Sequence, residues 1–520
     1  MGARGHKFGL LLSVTLTGMA VLVVEISATR MLAPFFGNSI FTFSSVIGIV
    51  LAALSLGYYV GGRLADRKPS EAWFFSLIVV SGFSVLVLQV LNAVVLPAIA
   101  YKLSMVNGPL LVSLLMFFVP ALFLAMLSPY AITLLHARAT RGGVGNASGL
   151  VFFWSTLGSI AGSLGTGFLL IPHWGIGRII VGVGVGLVLL GGVGLLMTRR
   201  MPGVVPVGVM LLGLISGMAL RQIAAEERAD IVYAADGLYE RIVIRDMRHQ
   251  GRPVRILWQD RNMSSGLLLD DGSMAFEYTK YFELYRLFTP RLQSALAIGG
   301  GAYSVPRSIL QDAPQAIVDV AEIEPSLHSL AIRYFELPDD ARLRNHVMDG
   351  RRFLHDTAER YDLIFSDAYS SFISMQVQFT TREFFQLAKS RLNENGVLIA
   401  NYYGSLSAET RSMLYSVLRT MRAVFPQVYV IATENPASEK LQNFIFVAHN
   451  ASPPGRRTDL RQAADIEFTH PVLKGVAALE LRPPQSLLES YPLLTDDFAP
   501  VEHYAASAIR RYAATAKRVR

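Results

Sequence analysis

Along its first two hundred residues the chain alternates long apolar runs with short polar interruptions. The runs cover about 8–32, 41–62, 73–97, 109–135, 148–171, 177–197 and 204–220. Crossing a hydrocarbon core takes roughly 20 mostly apolar residues. The pattern therefore predicts an N-terminal α-helical transmembrane bundle of about seven spans, the last of them the shortest. Small residues recur inside the runs, as in Gly158-Ser159-Ile160-Ala161-Gly162, and such residues let helix backbones approach closely in lipid. The first run is too long for a cleaved signal peptide and is followed by further spans.

After Arg221 the rhythm changes. Short stretches such as Arg241–Arg245 and Val254–Trp258 alternate in polarity between Gly and Asp punctuation, which predicts a small antiparallel β unit over 231–270. From Ser294 onward, apolar strands are separated by helical stretches: Ala295–Ile298, Ala316–Glu322, Tyr361–Asp367 and Gly396–Asn401. That order predicts a parallel, doubly wound, Rossmann-like α/β sheet. The chain is expected to divide into a transmembrane domain (1–225), a small β unit with a connecting helix (226–290) and a Rossmann-like domain (291–520).

Composition changes the picture in three ways. The chain is 52% hydrophobic and only 17% charged. Thirteen of its 47 basic and three of its 39 acidic residues fall in 1–225, so that part is net +10 and the remainder net −2. The basic excess thus reads as topology and attraction to membrane lipids, and the near-neutral remainder argues against nucleic acid as a partner. There is no cysteine, which excludes disulfides, thiolate nucleophiles and Cys-ligated metals. The ten histidines show no close ligand spacing, so no metal is expected. Inside the first span, Glu25 and Arg30 are ionisable groups at a depth where such side chains face a partner or a cavity. The stretch Gly57–Arg67 resembles the Gly-x-x-x-Asp-Arg loop of major facilitator transporters.

Ligands of doubly wound sheets bind at the carboxyl ends of the strands. There the sequence places Gly299-Gly300-Gly301, which lets the backbone turn tightly and come close to a ligand. Glu322 ends the next strand, where an acid can take both hydroxyls of a ribose. Glu324 shares its side if the strand continues. Asp349-Gly350 is placed to reach an adenine edge, and Asp367 ends the third strand. The set describes a holder for an adenosine-containing cofactor.

These motifs, together with Leu238-Tyr239, Phe276-Glu277-Tyr278, Ser366-Asp367-Ala368-Tyr369 and Thr381-Arg382-Glu383-Phe384-Phe385, resemble the spermidine synthase (polyamine aminopropyltransferase) family over residues 231–450. Glu25 with Arg30, and Asn146 to Gly175, resemble its membrane-fused branch. The resemblance implies that Gly299, Gly300, Gly301, Glu322, Glu324, Asp349 and Gly350 hold decarboxylated S-adenosylmethionine or S-adenosylmethionine itself. It implies that Asp367 is the base or anchor beside an attacking amine, and that Tyr278, Tyr239, Tyr369 and Ser370 line the acceptor side. The departures are Ala302 where the family has Asp, Ser370 for a second Asp, Ser371 for Pro, Thr279 for His and Ser264 for Gln. Ala302 removes a partner for the aminopropyl ammonium and relaxes selection against the intact cofactor.

The function expected is aminopropyl transfer to a small amine by a membrane-bound enzyme. The alternatives are an S-adenosylmethionine-dependent methyltransferase on a lipid-like, membrane-proximal acceptor, and a transporter or sensor with a nucleoside- or polyamine-binding domain. A homo-oligomer is compatible with the sequence. The basic loops place the N-terminus in the cytoplasm. Seven spans would then put the C-terminal domain outside, whereas the cytosolic origin of the cofactor favours a cytoplasmic domain. The expected location is the cell (inner) membrane, multi-pass, with the soluble domain on the cytoplasmic side.

Overall fold

In the computed structural model, residues 3–504 are described apart from 101, 105, 138–142, 199–229, 261, 290, 369–375, 408–410 and 450–459. The chain divides into two compact units, Met1–Ala229 and Asp230–Arg520.

The first unit is helical: α1 Ala3–Phe36, α2 Ile40–Arg67, α3 Glu71–Val90, α4 Gly108–Ala137, α5 Val144–Gly165 and α6 Ile176–Met197. A π-helical turn, Leu91–Val95, carries α3 on into Leu96–Ala100, and another, Thr166–Leu170, carries α5 on into Ile171–His173. Among the described residues, six such helices are long and apolar enough to cross a membrane. The seventh expected run, 204–220, lies outside the described residues. Glycines set the closest helix contacts. A Cβ at Gly158 on α5 would sit 2.0 Å from the Thr15 carbonyl oxygen of α1, and one at Gly61 on α2 would sit 2.5 Å from the Met126 carbonyl oxygen of α4. The α1–α5 crossing is reinforced by Ser159, whose hydroxyl donates to the Gly18 carbonyl at 3.1 Å.

One expectation is corrected here. Gly57–Arg67 is not a transporter-type loop but the last turns of α2. The helix runs on through Gly57, Gly61 and Gly62, and Arg67 in its last turn complements the helix dipole. The loop itself is Lys68-Pro69-Ser70, tied down by the Tyr130 hydroxyl, which donates to the Lys68 carbonyl. Glu25 and Arg30 both lie within α1 and are half-buried.

The second unit opens with a four-stranded antiparallel sheet in the order β1 (Ile231–Asp236), β2 (Arg241–His249), β3 (Arg252–Gln259) and β4 (Asn262–Leu268). A 3₁₀ stretch, Glu277–Leu287, leads into a seven-stranded sheet. Its strands are β5 (Ser294–Ile298), β6 (Ile317–Glu322), β7 (Leu343–Val347), β8 (Tyr361–Ser366), β9 (Leu392–Gly404), β10 (Gln427–Ala432) and β11 (Gln442–His449), in the spatial order β10-β11-β9-β8-β5-β6-β7. Strands β5 to β9 pair in parallel, while β11 is antiparallel to both β9 and β10. The expected parallel sheet is therefore mixed at one edge. Helices α7 (Ser304–Asp312), α8 (Leu327–Tyr334), α9 (Gly350–Asp356), α10 (Arg382–Ser390) and α11 (Ser412–Arg422) cover its faces. The central strands are apolar on both sides, with Leu296, Ile364, Leu398 and Ile399 fully buried, as strands covered on both faces must be. The order of the parallel strands reverses between β5 and β8, so the ends of these two neighbours face a common crevice.

Candidate active site

That crevice is shaped first by the glycine turn after β5. Gly299 has φ +90°, and a Cβ there would lie 2.7 Å from the Asp367 carbonyl oxygen. The Asp367 amide donates to the Ile298 carbonyl at 3.0 Å, so the ends of β5 and β8 are in direct contact. Gly301 has φ +52°, and a Cβ there would meet the Ser265 hydroxyl at 2.9 Å. The same hydroxyl accepts from the Ala302 amide at 2.6 Å, which fastens the turn to β4. Tyr303 then takes the left-handed region at φ 57°, a conformation uncommon outside glycine and asparagine. Its buried hydroxyl donates to Asn345 Oδ1 at 2.5 Å.

Glu322, at the end of β6, braces the turn. Its Oε2 accepts from the Gly300 amide at 2.7 Å, and its Oε1 accepts from the Glu324 amide at 2.8 Å. Burial raises its pKa above the usual carboxylate range, against the pull of these amides. Glu324 does not continue the strand as expected. β6 ends at Glu322, and Pro325, which has no amide hydrogen, follows three residues later. Glu324 is nevertheless buried and turned inward: Oε2 accepts from the Tyr239 amide at 3.1 Å and Oε1 from the Ser326 hydroxyl at 2.8 Å. Tyr239 thus meets Glu324 through its backbone, while its ring is exposed. Asp349 caps α9, accepting from the Arg352 amide at 2.9 Å. Gly350 lets that helix end sit on β5, since a Cβ there would lie 2.3 Å from Ile298 Cγ2.

Asp367 stands at the end of β8 with two neighbours. Asn401 Nδ2 donates to its Oδ1 at 2.9 Å, and Asn443 Nδ2 in turn donates to Asn401 Oδ1 at 2.9 Å. The Tyr278 hydroxyl donates to the Ser264 carbonyl at 3.0 Å and lies beside the Asp367 carboxylate. Burial pushes Asp367 up to about 6, with Asn401 and Tyr278 opposing the shift. Burial and the adjacent Asp367 hold the Tyr278 phenol well above its ordinary value. Lys280, the cation near this corner in the sequence, pairs with Glu277 at 2.9 Å. Tyr369 and Ser370 lie outside the described residues.

The sequence reading missed Asn401, Asn443, Ser265 and Glu240. Asn401 carried a signal, being a polar residue that directly follows the apolar run Val397–Ala400. Glu240 is buried, its side chain accepts from Gln259 Nε2, and it is pushed well above the carboxylate range by burial. Nothing local marked it, because its neighbours arrive from β3 and β6.

Residues 282–454 match the spermine/spermidine synthase domain. A polyamine aminopropyltransferase of Vibrio vulnificus is 27% identical over 249 residues, covering 44% of this chain and 76% of that protein. An eEF1A lysine and N-terminal methyltransferase of Bos taurus is 31% identical over 165 residues, covering 30% of this chain and 23% of that protein. A probable spermidine synthase structure from Corynebacterium glutamicum aligns with TM-score 0.42 and 21% identity, over 51% of this chain and 97% of that one. The C-terminal half of this chain thus contains a spermine/spermidine synthase domain over residues 282–454, and the N-terminal helical region lies outside it.

Proposed function

We propose that the protein is a membrane-bound aminopropyltransferase that moves the aminopropyl group of decarboxylated S-adenosylmethionine to a small amine. The observation that carries this reading is the juxtaposition of Asp367, with Asn401 and Tyr278 on it, against the Gly299–Gly301 turn that Glu322 braces. The turn suits a nucleoside: its three glycines leave the backbone without side chains, and Glu322 stands where an acid would take a ribose. In the reaction the amine nitrogen attacks the carbon next to the sulfonium. The N–C bond forms, and the C–S bond breaks with its electron pair going to sulfur. The proton shed by the new ammonium passes to the Asp367 carboxylate. Alignment supplies most of the rate in such a displacement, and a base of pKa near the working pH suits the proton transfer. A carboxyl held at about 6 meets that requirement.

A second reading is favoured by one observation. Ala302, buried after the glycine turn, presents no carboxylate to an aminopropyl ammonium, so intact S-adenosylmethionine is not repelled there and methyl transfer is the alternative. Product analysis on the detergent-purified full chain separates the two, with either donor supplied and polyamines or a membrane extract as acceptor. Methylthioadenosine from the decarboxylated donor supports the proposal, and S-adenosylhomocysteine from the intact one replaces it with methyl transfer. If neither product forms, the transferase assignment fails.

We also place the soluble domain on the cytoplasmic side. Six crossings return the chain to the side of its N-terminus, and Arg63 and Arg67 at the end of α2, with Lys68 after it, then face the cytoplasm, in line with the distribution of basic residues in membrane proteins.

A further inference from the structure

The chain from the helical turn Gln485–Leu488 to Val501 forms a strap over three helices of the second unit. Between Glu489 and Pro500 it has neither helix nor strand, yet Leu488, Leu494 and Val501 are fully buried. At α11 the Tyr491 hydroxyl accepts from Arg411 Nε at 2.9 Å, and the Leu494 amide donates to the Thr420 hydroxyl at 2.9 Å. At α10 the Leu494 carbonyl accepts from the Arg382 amide at 2.9 Å, and the Asp496 amide donates to Glu383 Oε2 at 3.0 Å. At α9 the contact is ionic. Both terminal nitrogens of Arg351 donate to the two oxygens of the Asp496 carboxylate, at 2.7 and 2.5 Å, and the Thr381 hydroxyl donates to the same carboxylate at 2.7 Å.

The place of Arg351 gives this pair its interest. It follows Gly350, whose backbone is pressed onto Ile298 directly before the glycine turn. Its Nη1 also donates to the Gln378 carbonyl at 3.4 Å, in the turn Val377–Phe379 on the chain that leaves Asp367. One guanidinium thus joins the Asp349–Gly350 corner to the segment downstream of Asp367, and Asp496 fixes that guanidinium. A bidentate pair sets orientation as well as position. The pair lies at the surface, with Asp496 exposed, where an ion pair contributes little to stability. The buried apolar side chains already hold the strap down, so orientation is what the pair adds.

We propose that Asp496 is a positioning residue for the donor: through Arg351 it sets the Asp349–Gly350 corner against the glycine turn, so the holder for the adenosine half is completed by a segment 145 residues downstream. This rests on the donor reading above and deepens it. The donor and the spent nucleoside share that half, so loss of Asp496 weakens both alike and leaves the chemistry beside Asp367 in place.

The test is calorimetry on the detergent-purified full chain with decarboxylated S-adenosylmethionine and with methylthioadenosine. Asp496→Asn keeps the size and removes the charge. It is expected to weaken both nucleosides equally, by about fivefold or more, the low end of the coupling usually transmitted between sites. In the transfer assay the KM for the donor rises by the same factor and kcat is retained. Asp496→Glu is expected to restore binding, which separates the lost carboxylate from lost folding. Arg351→Lys keeps the charge without the fork and is expected to match Asp496→Asn, with no further loss in the double substitution, as for two residues acting as one unit. Unchanged affinity in Asp496→Asn, a loss confined to one nucleoside, a fall in kcat at unchanged KM, or additive losses in the double substitution overturns the proposal. If neither nucleoside binds the unsubstituted protein, the donor reading fails and this proposal with it.

Discussion

At Asp367, burial and hydrogen bonding pull in opposite directions, and burial wins: the carboxyl sits at about 6 against an ordinary 3.8. Two outcomes follow for this residue. Only its ionised form accepts a proton, so kcat/KM is expected to rise with pH through about 6 and then level. Asp367→Asn is expected to lower turnover by about 10²-fold or more, the usual worth of a positioned base, as read from initial rates. The same shift has a stability side. A carboxyl raised in the folded state favours folding fully below its unfolded value, and that contribution is lost as pH rises through its folded value. The melting temperature of Asp367→Asn should therefore exceed that of the unsubstituted protein above pH 6, with the gap closing toward pH 4. Asn401 gives a separate check. Its amide favours the ionised Asp367, so Asn401→Leu should move the acid limb of the pH–rate profile upward while leaving its shape intact. An unmoved limb would mean that Asn401 only fills space.

Elements respond differently, because they meet through backbone. The glycine turn after β5 and the α1–α5 crossing both depend on the absence of a Cβ. At Gly299 an alanine would combine a disfavoured φ of +90° with a 2.7 Å approach to the Asp367 carbonyl oxygen. Gly299→Ala is expected to weaken donor binding by tenfold or more, measured by calorimetry, because relief requires parting β5 from β8. At Gly158 the obstacle is the Thr15 carbonyl at 2.0 Å, on a different helix. Gly158→Leu is expected to destabilise the bundle by about 1–3 kcal/mol, the usual cost of overpacking, seen as a lower melting temperature in detergent with donor binding by the soluble domain retained. The two substitutions thus test whether damage to one unit stays within that unit.

For the whole molecule the decisive quantity is the parity of crossings. The chain has no cysteine, so a single introduced thiol reports its side of the membrane without background. Lys102 lies between the third and fourth of the helices long enough to cross, and Ala358 lies on the surface of the second unit; both are exposed. With six crossings, Lys102→Cys is expected to react with an impermeant maleimide on intact cells, and Ala358→Cys only after permeabilisation. Labelling of both from outside would mean that a seventh segment crosses, and would remove the domain from the compartment where its donor is made.

Much of this was legible in the chain itself. Apolar runs of membrane length, the alternation of strand and helix after Ser294, and the acids at strand ends are local patterns, and local patterns survive without a fold. Gly299–Gly301, Glu322 and Asp367 were found for that reason, since a strand's carboxyl end can be read from the strand. The transporter-like stretch at Gly57–Arg67 was misread because a short motif carries no information on whether its helix has ended. Glu324 was expected to share the side of Glu322 if the strand continued; the strand stops two residues earlier, and the inward turn of Glu324 depends on the Tyr239 amide, 85 residues away. Glu240, Ser265 and Asn443 became visible only in three dimensions. Their chemistry comes from neighbours on other strands, through burial and hydrogen bonds that no spacing encodes. The sequence determined which residues could do the chemistry, and the tertiary structure decided which carboxyl groups meet and which of them hold a proton, because those are set by distance and by the loss of water.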